Sequence, residues 1–494
     1  MIEVQQEARM RRKAALDAPD GAHAAAGPNG NGGSAGIGGA HRRRGGGHGV
    51  GGGLSRGPGA GVGIAANGSR ETSTSRPGQR SRRRSRRSKR RAARLARRHL
   101  VTRHPVWSSL VAALFLATPV WVSLGTALTN PSLGVTIPGR FAEWVRDHGG
   151  ASIVSWGENF YYSHHPPPVG GKPPKGAIPP PPTSNESARR QSATKPASGT
   201  PGLTPLPAPP PIQPIANPPL PGEGQWHPAG RLVDGVPAVY EAFLRPDAVH
   251  TSLVAGVAWM DTRLLGARLY SGSTIPGGGP YRYTAPIQPS AAGTLVAAFN
   301  AGFLMSNAEG GYYTDGKVID PLRQGGASFV IYKDGSVQIG SWGTEVGMTP
   351  QVVSVRQNLN MLVDNGQPVA GLNPNDNYVW GATLGAAVDV WRSAVGQTAD
   401  GALVYVAGPG LNITSLANLL VSAGAVRGME LDINTDWVDF ATFDPSTPGA
   451  PALPANGRNL LAGMAGTPDR YFASWWGRDF FTMSARAVPG GPNP

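Results

Sequence analysis

The sequence predicts an α+β chain in which a β-rich, mixed-sheet domain with a few helices follows a disordered tail, one transmembrane helix and a proline-rich stalk. Three observations lead to this prediction. Glycine-rich and proline-rich segments occupy much of the first 222 residues, no charged side chain occurs from residue 105 to residue 139, and Asp-Gly or Asn-Gly pairs separate apolar segments after residue 222. The 494 residues include no cysteine, which excludes a fold stapled by disulfides.

Residues 1–104 form a basic tail. They carry 23 Lys and Arg against 5 Asp and Glu, a net +18, whereas residues 105–494 carry 22 against 25, a net −3. Residues 21–69 are rich in Gly and Ala and lack periodicity, which predicts disorder. The arginine run at residues 80–103 suits anionic lipid headgroups or RNA, but the near-neutral remainder of the chain disfavours nucleic-acid binding as the main function.

Residues 105–129 are predicted to form a transmembrane helix. Residues 107–128 are mostly apolar, and at about 1.5 Å of rise each they would extend roughly 33 Å, enough to cross a bilayer. The positive-inside rule then places the arginine run in the cytoplasm and residues after 130 outside the plasma membrane. A buried core helix and a cleaved signal peptide are the alternatives, and the leader of about a hundred residues argues against the second.

Two segments are expected between this helix and the domain. Residues 130–165 are rich in aromatic side chains and predict a juxtamembrane helix, lying either in the outer interface or in solvent. Residues 166–222 contain several proline runs and predict a polyproline spacer with a maximal reach on the order of 170 Å. Such a spacer would hold the domain of residues 223–494 away from the membrane.

The domain of residues 223–494 shows strand and hairpin signals. Residues 236–243, 252–260 and 294–299 read as strands. Residues 415–423 predict a helix with Thr414 or Ser415 as its N-cap and Gly424 after its end. Four Asp-Gly or Asn-Gly pairs predict hairpins: Asp315-Gly316, Asp334-Gly335, Asn365-Gly366 and Asp400-Gly401.

The strand that ends near residue 434 carries an unusual pattern of acidic and amide side chains. In regular alternation Glu430, Asp432 and Asn434 share one face, and carboxylates are costly to bury without a partner or a task. Beyond residue 222 the only histidines are His227 and His250. Ser-His-Asp, Cys-His and poly-His zinc sites are therefore disfavoured, which leaves acids, amides and arginines as candidate catalytic groups.

Three separated segments together resemble the phosphodiester glycosidase family, which includes the enzyme that uncovers mannose 6-phosphate tags. The resemblance covers roughly residues 225–490 and implies hydrolysis of the bond between the anomeric carbon of a sugar and a phosphodiester oxygen. The matching residues follow the family's order of an amide-ended strand, an arginine strand with its hairpin, a helix and an acidic loop: Asn300, Gly302 and Phe303; Arg392, Ala394 and Gly396; Leu431 and Asp432.

The implied reaction assigns a role to each candidate. A guanidinium neutralises a leaving phosphate well, so Arg392 is assigned to the phosphate. Asp432 is assigned to the anomeric carbon, with Glu430 as a possible base. The predicted substrate-binding residues are those near the strand ends, with Asn300 on sugar hydroxyls and Gly302 allowing close backbone approach: Asn300, Gly302, Ser393, Asn434 and Asp436. The expected partner is a glycan or sugar phosphodiester, and neither a cofactor nor a metal is expected.

Each role has a structural alternative. Arg392 would instead pair with Asp389 or Glu430, Glu430 would pair with Arg427 at the surface, and Asn300 would only cap a turn. Near the chain end, residues 470–472 and 478–481 read as a closing strand pair, and Trp475 and Trp476 are candidates for stacking on a sugar or, more simply, for core packing.

The acidic loop departs from the family's pattern. Where the family has three glycines and a serine, this chain continues through Ile433 and Asn434 to Asp436, which places side chains where glycines would let backbone amides cradle an anion. A non-catalytic glycan-binding or envelope-binding module is therefore the alternative function. Asp432, Asn434 and Asp436 also resemble the start of a calcium loop, but Trp437 and Phe443 occupy the positions that would require Gly and Glu.

Overall fold

A computed structural model of the chain describes residues 105–134, 136–181, 203–376, 379–381, 388–447 and 449–487. The predicted tail at residues 1–104 lies outside these ranges. The described residues divide into two units at the boundary between Pro119 and Val120, within the first helix. Three helices precede the domain: α1 (Pro105–Thr129), α2 (Ile137–Val145) and α3 (Ala151–His164).

Helix α1 covers the segment predicted to be a transmembrane helix and contains Pro119. Among the described residues, however, no helix combines the length and the apolar character that a membrane crossing requires. Residues 130–165, which were predicted to be helical, contain α2 and α3. Helix α2 begins after Thr136, whose side chain accepts a hydrogen bond from the Gly139 N–H and so caps the first turn.

The domain is built mainly from strands, as predicted. Two further helices, α4 (Pro289–Ala292) and α5 (Ile413–Ser422), accompany them. The described residues form eighteen strands: β1 (His227–Val233), β2 (Val236–Leu244), β3 (Ala255–Met260), β4 (Leu265–Tyr270), β5 (Leu295–Asn300), β6 (Tyr312–Thr314), β7 (Lys317–Asp320), β8 (Ala327–Tyr332), β9 (Val337–Ser341), β10 (Val352–Gln357), β11 (Met361–Asp364), β12 (Gln367–Pro368), β13 (Val390–Thr398), β14 (Leu403–Leu411), β15 (Ala425–Ile433), β16 (Phe440–Phe443), β17 (Gly457–Asn459) and β18 (Phe480–Ala485).

The strands form three sheets. Eight strands follow the order β1-β2-β3-β14-β13-β15-β11-β12, five follow β7-β6-β10-β8-β9, and five follow β17-β16-β5-β18-β4. All of these strand pairs are antiparallel, so the expectation of mixed sheets is wrong. Short hairpin connections, which join only antiparallel strands, explain much of this arrangement.

All four predicted hairpins are confirmed. They connect β6 to β7, β8 to β9, β11 to β12 and β13 to β14. Asp315 and Gly316 have φ values of 51° and 78°, the positive values that a type I′ turn needs at both central positions. Asp234 and Gly235 show the same pattern between β1 and β2, a hairpin that the sequence analysis did not identify.

Apolar side chains pack on both faces of the eight-stranded sheet. Met429, Leu431 and Tyr405 join one cluster with Phe299 and Phe481 of the sheet that contains β5 and β18. The opposite face packs against α5 through a second cluster. Helix α5 starts earlier than predicted because Asn412, rather than Thr414 or Ser415, is its N-cap; Asn412 and Ser415 exchange the two hydrogen bonds of a capping box.

The proline-rich segment differs from the expected free spacer, because residues 166–181 and 203–222 contact the domain. Leu206 and Ile212 are buried in the second cluster, and the Leu206 N–H donates to Asp261 Oδ2 at 2.7 Å. The Pro210 carbonyl accepts from Trp226 Nε1 at 2.8 Å. Proline residues cannot donate a backbone hydrogen bond, but their carbonyl groups can accept one. Residues 166–181 and 203–222, here called the strap, therefore bind the domain through apolar side chains and carbonyl oxygens.

The expected strand pair near the chain end is also different. Pro468–Phe472 form a short 3₁₀ helix, and only residues 480–485 form a strand, β18. Strand β18 lies between β4 and β5. The loop between this helix and β18 contributes side chains to the cleft described next.

Candidate active site

One cleft brings together the ends of β5 and β15, the start of β18 and the loop that precedes it. The space between and in front of its lining side chains is about 230 Å³, a figure that includes open solvent. Its lining combines carboxylates, an arginine, an amide and aromatic rings: Asn300, Ala301, Asp432, Trp437, Asp439, Tyr471, Trp476, Arg478, Asp479 and Phe480. This collection of acids beside a guanidinium is the arrangement expected for a site that acts on a charged, polar substrate.

A β-bulge at the end of β15 separates two acidic residues that regular alternation would place on one face. Arg392 lies opposite Ile433 and Ala394 lies opposite Glu430, so two residues of β15 face a single residue, Ser393, on β13. Asp432 therefore lines the cleft, whereas Glu430 does not. The bulge is the physical reason that the predicted shared face is not formed.

Arg392 is enclosed on the side of the sheet that carries α5. Its Nη1 donates to Glu430 Oε1 at 2.6 Å and to the Trp380 carbonyl at 3.3 Å, and its Nε donates to the Leu411 carbonyl at 3.1 Å. Arg392 is 1 % exposed and Glu430 is fully buried. These contacts match the structural alternative for Arg392, the pairing with Glu430, and they place neither side chain in the cleft.

Glu430 is therefore not the partner of Arg427. That arginine pairs with Glu345 at 2.7 Å and with Asp364 at 2.8 Å. Burial raises the pKa of Glu430 to about 7, although the neighbouring Arg392 guanidinium opposes the shift. A carboxyl with this environment is chiefly a buried structural ion pair.

Asp432 is the candidate that the structure places in the cleft. Its Oδ2 accepts from Arg478 Nη2, and its Oδ1 accepts from the Ile433 N–H at 2.8 Å. The side chain is almost fully enclosed, with the residue only 4 % exposed. Burial raises the pKa of Asp432 to about 6, because it outweighs the opposing effect of the Arg478 guanidinium.

Two arginines and two tryptophans surround the cleft. The Arg478 guanidinium lies 4.7 Å from the ring centre of Trp437, and the Arg470 guanidinium lies 4.3 Å from that of Trp476. The two indole rings are 5.8 Å apart. Each arginine thus combines an aromatic contact with an acidic partner, which fixes a planar guanidinium in orientation.

Asp439 is a second buried acid of the cleft. Its Oδ2 lies 3.2 Å from Arg470 Nε, and burial raises its pKa. Asp479 is a third, and its Oδ2 accepts from Arg356 Nε at 2.7 Å. Every carboxylate that lines the cleft is therefore next to a guanidinium; Arg470 and Arg478 come from the segment that precedes β18, and Arg356 comes from β10.

Asn300 joins the strands that carry these acids. Its Oδ1 accepts from Tyr405 OH at 2.8 Å and from the Asp439 N–H at 3.0 Å. Its Nδ2 donates to the Ala301 carbonyl at 2.9 Å and to Ser393 Oγ at 3.0 Å. A neutral amide has two donor and two acceptor positions, and all four are used. Asn300 therefore holds the site together instead of offering its amide to a sugar hydroxyl.

Ser393 has a related role. Its Oγ accepts from the Asp432 N–H at 3.1 Å and donates to the Asp432 carbonyl at 3.0 Å. These bonds fix the backbone of the bulge from β13. Ser393 is fully buried and is not part of the cleft lining, so it positions Asp432 rather than contacting a ligand.

The remaining predicted binding residues lie around the cleft without lining it. A Cβ on Gly302 would come within 2.7 Å of Asn358 Oδ1, so this glycine makes room for the Asn358 side chain. Asn358 Nδ2 in turn donates a hydrogen bond to the Glu430 carbonyl of β15. Asn434 adopts φ 115° and accepts from the Asp436 N–H at 3.0 Å. The Asp436 carbonyl accepts from Arg470 Nη1 at 3.3 Å.

No group of three or more His, Cys, Asp and Glu side chains among the described residues is arranged to hold a metal ion. The calcium loop suggested by Asp432, Asn434 and Asp436 therefore has no suitable cluster of ligands among the described residues. Asp432 is engaged with Arg478, and Asn434 is engaged with the backbone of Asp436.

Comparison with known proteins supplies the family. Residues 293–432 match the family model described as phosphodiester glycosidase. This part of the chain is similar to the phosphodiester glycosidase family. This match confirms the resemblance to the phosphodiester glycosidases, and it supports a phosphodiester glycosidase hydrolase. A comparison with curated proteins found no match.

Three solved structures are similar over about half of the chain. The zebrafish N-acetylglucosamine-1-phosphodiester alpha-N-acetylglucosaminidase catalytic domain, auto-inhibited by its pro-peptide, is 14 % identical, with 53 % of this chain and 88 % of that chain covered and a TM-score of 0.32. A hypothetical protein from Synechocystis is 11 % identical, covering 53 % and 64 % with a TM-score of 0.27. A putative exported protein from Burkholderia pseudomallei is 13 % identical, covering 47 % and 74 % with a TM-score of 0.18.

The match to the phosphodiester glycosidase family ends at Asp432, and much of the cleft is built by residues beyond it. Sequence reasoning assigned no catalytic or binding role to Asp439, Arg470, Arg478 or Asp479. A signal was present, because Arg478-Asp479 and Arg470 are charged residues within aromatic segments. Such residues are expensive to bury without partners, so their presence beside Trp475 and Trp476 indicated an ion-paired site.

Proposed function

We propose that this protein hydrolyses the bond between a sugar anomeric carbon and a phosphodiester oxygen in envelope or exported glycans. The observation that supports this most directly is the pairing of Asp432 with Arg478 inside the cleft. The reaction needs a carboxylate near the sugar carbon and a cation near the departing phosphate. Asp432 and Arg478 supply both groups at one place, in a chain whose residues 293–432 match the phosphodiester glycosidase family model.

In the proposed mechanism, different residues stabilise the positive charge on the sugar ring and the negative charge on the leaving phosphate. As the bond between the anomeric carbon and the phosphate oxygen breaks, its electron pair leaves with the phosphate and positive charge develops on the sugar ring; the Asp432 carboxylate stabilises that charge or attacks the anomeric carbon. A water molecule then forms the new bond to the anomeric carbon, directly or by displacing Asp432, and loses its proton to solvent. Arg478 neutralises the leaving phosphate. Its guanidinium carries five N–H donors, and the contact with Asp432 uses Nη2. A leaving phosphate is a weak base, so charge neutralisation matters more than protonation.

Attachment to a membrane is a separate part of the proposal, and it rests on the sequence. We propose that the segment of residues 105–129 anchors the protein in the plasma membrane, with the basic tail cytoplasmic, its arginine run against anionic lipid headgroups, and the hydrolase domain outside. The absence of charged residues from residue 105 to residue 139, directly after the arginine run, supports this orientation.

The chain contains no cysteine, so topology is readily tested by labelling. Ser73→Cys places a thiol in the tail, and Ser446→Cys places one at an exposed position of the domain. In intact cells a membrane-impermeant maleimide should label the second variant only, and both after lysis. Labelling of the first variant in intact cells would contradict the proposed orientation.

Hydrolysis is tested with the full-length protein and a sugar-1-phosphodiester, by following release of free sugar. Asp432→Asn should reduce turnover by about 10²–10⁴-fold, because it removes a positioned carboxylate. Asp364→Asn is the matched control, since Asp364 lies in the same sheet, pairs with Arg427 and has a side chain 48 % exposed. Unchanged turnover in Asp432→Asn would exclude the proposed mechanism.

A glycan-binding module without catalysis is the second candidate. Trp437 lines the cleft from the loop where the family has glycines, and its ring covers the arginine that pairs with Asp432. A cleft whose charged groups are already paired with one another would favour binding over turnover. Saturable glycan binding by the wild-type protein with no release of sugar from any phosphodiester tested would support this candidate.

A further inference from the structure

The loop at the rim of the cleft packs against two glycines that flank the start of α2. A Cβ on Gly139 would lie 2.9 Å from Asp436 Oδ2, and a Cβ on Gly134 would lie 3.1 Å from the same oxygen. Asp436 directly precedes Trp437, which lines the cleft, and its carbonyl accepts from Arg470 Nη1 at 3.3 Å. The two glycines therefore let the start of α2 approach one edge of the cleft closely.

The connection from α1 to this contact is short and held in place. Helix α1 ends at Thr129, and the five residue steps from there to Gly134 reach at most about 18 Å. Arg140 of α2 binds both ends of this connection, since its Nε donates to the Gly134 carbonyl at 2.8 Å and its Nη1 donates to the Leu128 carbonyl at 3.0 Å. The end of α1 and the rim of the cleft are therefore neighbours.

The strap leaves no long spacer directly after α3. Helix α3 ends at His164, and the Gly170 N–H already donates to the Val249 carbonyl at 2.7 Å. Thr251 Oγ1 donates to the Gly171 carbonyl at 2.9 Å. The first half of the strap thus runs along the domain, and it does not extend the full reach, on the order of 170 Å, that its composition would allow.

The helices beside the cleft expose large apolar side chains. On α3, Ile153, Trp156 and Phe160 follow the spacing of one helix face and are 58–70 % exposed, and Trp121 of α1 is 64 % exposed. Exposed apolar faces mark interaction sites, and aromatic side chains on a helix face are typical of contact with the boundary of a lipid bilayer. Such contact requires only the exposed face.

We propose that the cleft acts on a sugar whose anomeric carbon is joined through one phosphate to a lipid of the membrane on which α1 and α3 lie. The contact of α2 with Asp436 holds the cleft at the lipid surface, so that the sugar enters it while the lipid chain stays in the bilayer. This inference rests on the proposed function and names its aglycone. Water adds to the anomeric carbon and gives its proton to solvent, and the bond electrons leave with the phosphate as a lipid monophosphate.

The test uses the full-length protein in vesicles of phosphatidylcholine and phosphatidylglycerol. Glucose, mannose and N-acetylglucosamine, in both anomeric forms, are supplied as the dipalmitoylglycerol phosphodiester in those vesicles and as the methyl phosphodiester in water. At equal total concentration, the best sugar should be released from the lipid ester on the order of ten- to a hundredfold faster, because protein and substrate share one surface.

A second arrangement isolates the position of the cleft, because any anchored enzyme gains from sharing a membrane with its substrate. Lipid ester placed in separate vesicles that lack the protein should release little sugar, since the cleft is held at the membrane that carries it. A domain on a free spacer of about 170 Å would reach neighbouring vesicles. Equal release from the two kinds of vesicle would overturn the inference.

Gly139→Val is the matching change in the protein. The added side chain would meet Asp436 and push α2 away from the rim of the cleft, so the preference for the lipid ester should fall several-fold while release from the methyl ester changes little. Gly157→Val in α3 is the control, because a Cβ there meets nothing within 4 Å. An unchanged preference in folded Gly139→Val would overturn the role of this contact. The comparison of vesicles with the wild-type protein keeps the test decisive if Gly139→Val does not fold.

The outcomes separate the lipid aglycone from the proposed reaction. Equal rates with the methyl and lipid esters would overturn the lipid aglycone and leave the reaction standing. Release of sugar from neither ester would overturn the reaction and the aglycone together. Faster release from the lipid ester, confined to vesicles that carry the protein, supports both.

Discussion

Arg478, rather than Arg392, is the arginine whose guanidinium contacts the Asp432 carboxylate. The family pattern contains Arg392, and the chemistry of a departing phosphate favours an arginine, yet the residue that meets the requirement lies 46 positions after Asp432. Arg392 instead neutralises Glu430 behind the bulge of β15. The two arginines therefore have separable roles, one in the cleft and one in the core.

Exchanging each arginine for lysine should separate these roles. Arg478→Lys keeps the charge but loses the planar fork, and it should lower kcat/KM for a sugar-1-phosphodiester by about 10²-fold or more. Arg392→Lys should leave kcat/KM within a few-fold while lowering the free energy of unfolding, by up to about 3 kcal/mol, because it weakens a fully buried ion pair. Steady-state kinetics and urea denaturation measure the two effects. An equal loss of kcat/KM in both folded variants would refute this division.

The pH dependence of catalysis should report the raised pKa of Asp432. The carboxylate form of Asp432 is the active one, and burial raises the pKa of this carboxyl to about 6 in the free protein. The value of kcat/KM should therefore fall about tenfold for each pH unit below about 6, whereas an unperturbed aspartate would hold activity down to about pH 4. Glu241→Gln is the control, since Glu241 lies outside the cleft lining and its replacement should not shift the pH at which kcat/KM begins to fall.

Stability should also depend on pH, through Glu241. Burial raises the pKa of this glutamate from 4.5 to about 7, although the largely exposed Arg458 guanidinium and the Thr442 hydroxyl oppose the shift. The folded state then binds the proton more tightly than the unfolded state. The resulting stabilisation is fully present below about pH 4.5 and is lost as the pH rises towards 7.

Glu241→Gln should make the stability curve flatter. The amide cannot ionise, so unfolding free energy measured in urea at pH 5 and pH 8 should differ less than in the wild type, by an amount on the order of 1–3 kcal/mol. Glu430, whose pKa is also raised to about 7, leaves part of the slope in place. Glu345→Gln at a partly exposed position is the control. A steeper slope in Glu241→Gln would contradict the assignment.

Ser393 should affect both stability and catalysis. Ser393→Ala leaves the buried Asp432 N–H and the Asn300 Nδ2 without their common acceptor, which should cost about 1–3 kcal/mol of unfolding free energy. The loosened bulge should lower kcat more than it raises KM, because Ser393 positions Asp432 without contacting the substrate. Ser336→Ala removes a hydroxyl from an exposed turn and should change neither quantity appreciably. Wild-type kcat in a destabilised Ser393→Ala would show that the bulge needs no such support.

Local features of the fold were predictable because their causes are local. Asp-Gly and Asn-Gly pairs adopt the φ values that tight hairpins need, and all four predicted hairpins formed. The helix at residues 413–422 was predicted from its apolar stripe, although its cap was placed two or three residues late. Sheet type was not predicted correctly, since pairing between distant strands is a property of the whole domain.

The site was predictable only in part. Asp432 could be found because a carboxylate on an apolar strand is conspicuous, and it does line the cleft. Its partner could not be found in the same way, because the bulge opposite Ser393 changes which side chains face the cleft and leaves no clear mark in the sequence. Asn300 was singled out from the sequence and lines the cleft, but whether its amide faces a ligand or the protein depends on Tyr405 and Asp439, which are far away in the sequence.

The strap changes where the catalytic module begins. Composition suggests a start at residue 223, yet a fragment cut there would remove the carbonyl that accepts from the Trp226 indole and the N–H that binds Asp261. It would also uncover the apolar surface now covered by Leu206 and Ile212. Recombinant fragments intended for crystallisation or kinetics should therefore begin before residue 166, so that both halves of the strap accompany the domain they cover.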